Sequence, residues 1–257
     1  MRFFRRIASV ATTLISLTSM AGAADIRVVG VGAVQNALRV LAAEFGNETG
    51  HRVVLTIDAP AVVMQKIKDG DVYDAVIVSE PAMDRLDKEG VVNPESRVPL
   101  AKTGTGVAVR AGAPLPDLST PEAFKQALLA AKSVVYGDPS LPNQSGEKAE
   151  RILVQAGIFD ALKPRLRIVP SQAESQELIA KGEAEMGLYN ISEIPEGKGL
   201  AFAGPVPKLL QIATSYEGAL MSDGAVPEAA RAFIRFLAGP EARAKWLAAK
   251  LEPTPEH

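Results

Sequence analysis

Short apolar strands alternate with amphipathic helices along most of the chain, and this alternation constrains the fold more than any other feature. The first block runs from a strand at 26–30, through a helix that carries Leu38 and Leu41, to strands at 53–57 and 75–78. Strands separated by helices pair in parallel, and the helices then cover the faces of the sheet. The first block therefore predicts an α/β unit.

A second block of the same kind follows an extended stretch at 98–110. It predicts strands at 133–136, 166–169 and 186–189 with helices between them. A further strand at 211–216 and two helices that each begin with proline close the chain. The sequence thus predicts two lobes, each a mainly parallel sheet flanked by helices, with a ligand cleft where strand ends meet helix starts.

The first residues have the pattern of a secretory signal. A start with three arginines is followed by an apolar stretch at 7–20 and by small residues that suit cleavage near Ala23. The apolar stretch is too short for a membrane-spanning helix, which needs about twenty residues. We therefore expect residues 1–23 to be removed and the mature chain to reach the periplasm without inserting into the membrane.

The composition excludes several kinds of site. Without cysteine, the chain can form no disulfide, thiolate nucleophile or cysteine metal site. A formal net charge of -2 argues against a nucleic-acid partner. The imidazoles are limited to His51 and His257, so we expect no histidine metal site or catalytic triad. No cofactor is predicted.

A glycine-containing turn at 30–35 follows the first strand and opens the first helix. This position is typical of a dinucleotide-binding turn, but Gln35 stands where that motif needs its third glycine. The backbone N–H groups at the start of a helix still favour a small anion. The turn is therefore either an anion site or a purely structural connection.

Tyr189 ends the predicted strand at 186–189, beside Asn190. A phenol at this place either faces the cleft, where it can donate a hydrogen bond to an oxyanion, or packs in the core. The residues by themselves leave both interpretations open.

The order of elements and several segments resemble the molybdate-binding proteins of ABC importers, which belong to the type II periplasmic binding proteins. The similarity covers essentially the whole mature chain. Its main segments are 26–50, QKIKDGDVYDAVIVSE at 65–80, YGDPS at 136–140 and KGEAEMGLYN at 181–190. A branch of that class is also similar through GAVQNAL at 32–38, the stretch 106–140, SEI at 192–194, GPVP at 204–207 and FLAGPEA at 236–242.

The resemblance implies a monomer in which residues 24–105 and 205–257 form one lobe and residues 106–204 the other. It places the ligand in the cleft, with Tyr189 near the hinge. The ligand-binding residues that it predicts are Gly32, Ala33, Val34, Ala59, Pro60, Ala61, Ser145, Gly146, Gln172 and Tyr189.

Two departures from the molybdate-binding pattern bear on the ligand. The molybdate-binding proteins that the chain resembles have a serine in each of the first two loops. This chain has Ala33-Val34 and Ala59-Pro60 at those places. A hydrogen bond to a charged group contributes about 1.5–3 kcal/mol. Losing two such bonds corresponds to about two to four orders of magnitude in affinity. We therefore expect an anion site that does not bind molybdate.

Two functions remain open. The first is a periplasmic receptor that captures a small anion, either an organic acid or an oxyanion, and presents it to an ABC permease. The second is an enzyme, because the branch also resembles aconitate isomerase, which uses the same scaffold. Moving a double bond needs a general base and a general acid. Tyr189, Glu174, Lys148 and Ser145 are candidates, and their spacing assigns none of them a catalytic role.

Overall fold

The computed structural model describes residues 22–140, 144–195 and 197–255, so the predicted signal segment up to residue 21 and His257 lie outside the described residues. The strands are β1 Asp25–Val31, β2 Arg52–Asp58, β3 Ala75–Ser79, β4 Val98–Thr103, β5 Thr105–Arg110, β6 Val134–Gly137, β7 Leu166–Val169, β8 Met186–Asn190, β9 Leu200–Pro205, β10 Thr214–Leu220 and β11 Glu252–Pro253. The α-helices are α1 Gln35–Thr49, α2 Pro60–Lys68, α3 Glu80–Lys88, α4 Pro121–Ala130, α5 Gln144–Gln155, α6 Phe159–Leu162, α7 Gln172–Lys181, α8 Pro227–Ala238 and α9 Pro240–Ala248.

The strands form two separate sheets, which confirms the predicted α/β class. The first sheet has the order β11-β4-β10-β3-β1-β2, and the second has the order β7-β6-β8-β5-β9. The first sheet therefore combines strands from both ends of the described chain, whereas the second uses the middle.

Both sheets are mixed, in contrast to the mainly parallel sheets that the sequence predicts. Strand β1 pairs in parallel with β2 and β3, but β10 runs antiparallel to β3 and β4. In the second sheet β6 is parallel to β7 and β8, whereas β5 is antiparallel to β8 and β9. Parallel pairing requires a crossover connection. The antiparallel strands β5 and β10 bring the chain from one sheet directly into the other.

Helix starts follow the local sequence signals. Five of the described α-helices have proline in their first turn, where the missing N–H costs no intrahelical hydrogen bond. At α4 the hydroxyl of Thr120 also accepts a hydrogen bond from the backbone N–H of Ala123, at 3.1 Å. None of the helices in the described ranges is long and apolar enough to cross a bilayer.

Two neighbouring connections join the sheets, and the side chain of Gln211 links them. Its Oε1 accepts from the backbone N–H of Thr105 at 2.6 Å, and its Nε2 donates to the carbonyls of Thr105 at 2.9 Å and Val206 at 3.1 Å. A Cβ atom at Gly104 would lie 2.9 Å from the Gln211 side chain. A side chain at 104 would therefore displace Gln211 from these hydrogen bonds.

Candidate functional site

A cavity of about 490 Å³ lies between the two sheets, beside their crossing. One wall comes from the ends of β1 and β2 with the helices that follow them, and the other comes from β8 and the start of α7. The cavity is lined by Val31, Gly32, Ala33, Gln35, Ile57, Asp58, Ala59, Pro60, Ser145, Pro170, Ser171, Gln172, Asn190, Glu193 and Tyr216.

The first wall is largely apolar in its side chains. The turn Gly32–Val34 leads into α1, and neither this turn nor α1 has a side-chain hydrogen bond at its cap. Pro60 starts α2 and offers no N–H. The carboxylate of Asp58 is paired with Lys66 at 2.9 Å. The start of α1 is therefore the part of this wall best suited to a negative charge.

The second wall joins the starts of two helices. The hydroxyl of Ser145, in the first turn of α5, donates to Oε1 of Gln172 at 3.1 Å. Ser171 caps α7 by accepting from the backbone N–H of Glu174 at 3.1 Å. These bonds fix Ser145 and Gln172 together at the cavity surface.

Lys148 brings a buried positive charge to the site, with 6% of its surface exposed. Its Nζ donates to Oγ1 of Thr214 at 2.6 Å and to Oδ1 of Asn190. Burial lowers the pKa of Lys148 to about 8, although the charges of Glu193 and Glu147 act in the opposite direction. Lys148 is therefore a cation that can give up its proton near neutral pH.

Glu193 supplies a carboxylate on the other side of Asn190. It lies in the turn Ile191–Glu193 after β8, and its Oε2 accepts from Nδ2 of Asn190 at 2.5 Å. Burial raises the pKa of Glu193, whereas the Asn190 hydrogen bond and the charge of Lys148 lower it. The Asn190 amide thus stands between the two charged groups, with its oxygen toward Lys148 and its nitrogen toward Glu193.

Tyr216 brings a phenol to the cavity from β10 of the first sheet. Burial raises the pKa of Tyr216, and the nearby Glu193 charge adds to this effect while a hydrogen bond with Thr214 opposes it. The phenol therefore stays protonated and can act as a hydrogen-bond donor.

The structure brings six of the ten residues predicted to bind the ligand to the cavity, namely Gly32, Ala33, Ala59, Pro60, Ser145 and Gln172. Val34 is fully buried at the start of α1, and Ala61 and Gly146 follow lining residues in the chain. Their contact with a ligand stays a prediction.

Tyr189 lies outside the cavity lining. Its side chain is fully buried in a small cluster that includes Val135 and Ile179, so the core interpretation is the one that the fold adopts. Successive side chains of a strand point to opposite faces. Asn190, the next residue of β8, consequently reaches the cleft instead.

Sequence reasoning missed Asn190, Glu193 and Tyr216, and it considered Lys148 only as one catalytic candidate. A signal for Lys148 was present, because it lies three residues after Ser145 and four before Ile152, on the buried face of α5. Asn190 and Glu193 lie in the segments KGEAEMGLYN and SEI, which carry the family resemblance but assign no role to either residue, and Tyr216 carried no local motif.

Two α/β sheets that share two chain crossings and enclose a cleft with one apolar and one polar wall are typical of proteins whose halves close around small ligands. The chain belongs to the bacterial extracellular solute-binding protein family, whose pattern matches residues 26–249. This membership confirms the resemblance to periplasmic solute-binding proteins.

Known relatives include both binding proteins and an enzyme. The chain is 32% identical over 234 residues to the aconitate isomerase of a Pseudomonas species. The matched region covers 89% of this chain and 87% of that protein. It is 25% identical over 237 residues to the molybdate-binding protein of Azotobacter vinelandii, covering 88% and 89%. A solved periplasmic molybdate-binding protein of Azotobacter vinelandii superposes with a TM-score of 0.72 at 22% identity, covering 90% of this chain and all of that one.

Proposed function

We propose that the protein is a periplasmic receptor that binds a small organic acid in the cleft and presents it to an ABC permease. The buried ammonium of Lys148 carries this proposal, because it contacts the cavity-lining residue Asn190 and a buried cation behind the wall favours a negatively charged ligand. In this receptor the lobe of residues 24–105 and 205–257 closes on the lobe of residues 106–204.

The character of the two walls favours an organic acid over a bare oxyanion. Ala33, Ala59 and Pro60 give one wall apolar side chains, whereas Ser145 and Gln172 give the other wall polar groups. A ligand with a carbon skeleton and carboxylate groups matches both surfaces. A tetrahedral oxyanion would leave the apolar wall without a partner.

Thermal unfolding of the mature protein, from Ala24 onward, tests the proposal against trans-aconitate, citrate, malate, sulfate and molybdate. A ligand at about 100 times its dissociation constant adds about 2.7 kcal/mol to the free energy of unfolding. We expect a rise in Tm with at least one organic acid and none with molybdate. A selective rise with molybdate would contradict the proposal.

The matched variants Lys148→Met and Lys68→Met separate site binding from general charge effects. Lys148 is buried beside the cavity, whereas Lys68 is exposed at the end of α2. We expect the Lys148 variant to lose the ligand-induced rise in Tm and the Lys68 variant to keep it. An equal ligand response in both variants would remove Lys148 from the site.

We propose aconitate isomerisation as a second candidate, which the pair Lys148 and Glu193 favours. Burial lowers the pKa of Lys148 to about 8 and raises the pKa of Glu193, so the site holds a cation and a carboxylate that can serve as a general acid and a general base. In this reaction one group removes a proton from the methylene carbon, the double bond shifts toward that carbon, and the other group protonates the former vinyl carbon two atoms away. The 32% identity to an aconitate isomerase supports this candidate.

Proton NMR of trans-aconitate incubated with the protein in D2O distinguishes the enzyme from the receptor. Isomerisation would produce the cis isomer and replace methylene hydrogen by deuterium, and both Lys148→Met and Glu193→Gln would abolish the exchange. If trans-aconitate binds but forms no cis isomer and exchanges no hydrogen, the receptor function stands and the isomerase is excluded.

A further inference from the structure

The carboxylate of Glu193 lies where an anion at the start of α1 would be expected. Its Oε1 is 3.6 Å from the position that a Cβ atom on Gly32 would occupy. Its backbone is held in place, because Nε2 of Gln176 donates to the Glu193 carbonyl at 2.9 Å. A side chain from the second sheet thus reaches the turn Gly32–Val34 that leads into α1.

Burial raises the pKa of Glu193, while hydrogen bonds from the side chains of Asn190 and Gln172 favour the ionised carboxylate. Asn190 donates to Oε2, and the same amide accepts from the ammonium of Lys148 through its oxygen. The Lys148 charge also lowers the pKa of Glu193 and so opposes the effect of burial. An ionised carboxylate has acceptor atoms only. A ligand oxygen beside Glu193 must therefore bring its own hydrogen or meet an unshielded like charge.

We propose that Glu193 selects the ligand, admitting organic acids that present a hydroxyl group to its carboxylate and excluding fully deprotonated oxyanions such as sulfate. This inference rests on the proposed receptor function, since it concerns the same cleft. The hydroxyl donates to Glu193, while the ligand carboxylates lie toward the polar groups of Ser145 and Gln172. Exclusion of a competing ligand by a like charge is an efficient source of specificity.

Isothermal titration calorimetry with malate, succinate and sulfate tests the selection on wild-type protein and on Glu193→Gln. Malate and succinate differ by the hydroxyl group alone. We expect the wild type to prefer malate over succinate at least about tenfold and to show no sulfate binding. The isosteric glutamine keeps an oxygen for Asn190 but removes the charge, so the malate preference falls below about threefold and sulfate binding appears.

The exposed Glu177 on α7 provides the matched control, and Glu177→Gln is expected to behave as the wild type does. An unchanged malate preference and continued absence of sulfate binding in Glu193→Gln overturn the selection, even if the wild type binds an organic acid. Sulfate binding by the variant supports the selection even if the wild type binds none of the organic acids. If neither protein binds any of the three, the selection fails, and the thermal unfolding series with trans-aconitate and citrate decides the receptor function separately.

Discussion

Replacing Lys148 by methionine should change how the stability of the protein depends on pH. The pKa of Lys148 falls from its ordinary value of 10.5 to about 8, chiefly because the ammonium is buried. At about 1.4 kcal/mol per pKa unit, the charged form is about 3 kcal/mol less favourable in the folded than in the unfolded chain. The folded-state pKa is the lower one, so the unfolded chain binds more protons between these pKa values and stability rises with pH there.

The expected effect is confined to the alkaline side of neutrality. Below about pH 8 the ammonium is charged in both states, and its full cost is present in the wild type. Raising the pH from about 7 to about 9.5 lets the folded protein release this proton. The free energy of unfolding of the wild type should then increase by about 2 kcal/mol relative to that of Lys148→Met, which has no group to titrate at this place.

Urea unfolding at the two pH values measures this difference without any ligand. Trp246, the single tryptophan, is buried in the core of the first sheet and reports its unfolding by fluorescence, and circular dichroism follows both sheets. The exposed Lys68→Met variant controls for changes in net charge and should parallel the wild type. If the free energies of unfolding of the wild type and Lys148→Met change in parallel between the two pH values, the argument that burial lowers the pKa of Lys148 is refuted.

Three further substitutions test the hinge and the core. Gln211→Ala should lower the free energy of unfolding in urea by about 1–3 kcal/mol, because the N–H of Thr105 loses its acceptor. The exposed Gln65→Ala should have little effect. Equal losses in the two variants would contradict the role of Gln211 at the crossing between the sheets. Tyr189→Phe should leave ligand affinity unchanged in calorimetry, since the ring lies outside the cavity, and a tenfold loss would return Tyr189 to the site. Gly187→Ala should lower Tm, because the new Cβ would lie 2.5 Å from the Tyr189 hydroxyl, and an unchanged Tm would show that the ring can move aside.

Local signals are enough to predict most of the elements. Proline and threonine at helix starts, glycine after helix ends, and runs of β-branched residues in strands act within a few residues, so the amino-acid sequence alone reveals the alternation. The boundaries of strand β10 are displaced, since the strand begins at Thr214 where the sequence predicts 211. Gln211 is instead used by the crossing, where its side chain bonds to Thr105 and Val206.

The residues of the candidate site also differ in whether local sequence is enough to predict them. Gly32, Ala59 and Gln172 were predictable because each begins or precedes a helix directly after a strand, and that local geometry places them at the end of a sheet. Strand alternation also decides that Asn190 and not Tyr189 faces the cleft, but the sequence does not say which face of β8 the core covers.

The sequence by itself determined the α/β class, the two blocks of alternating elements and the loops at the strand ends, because these depend on residues close together in the chain. Only the tertiary structure decided that Asn190 and Glu193 share a cavity with Tyr216 and that Lys148 contacts Asn190. Their pKa values depend on burial and on charges brought together by the fold, and no local pattern contains that information. The mixed sheets have the same origin, since a strand that crosses between sheets takes its direction from the sheet it joins.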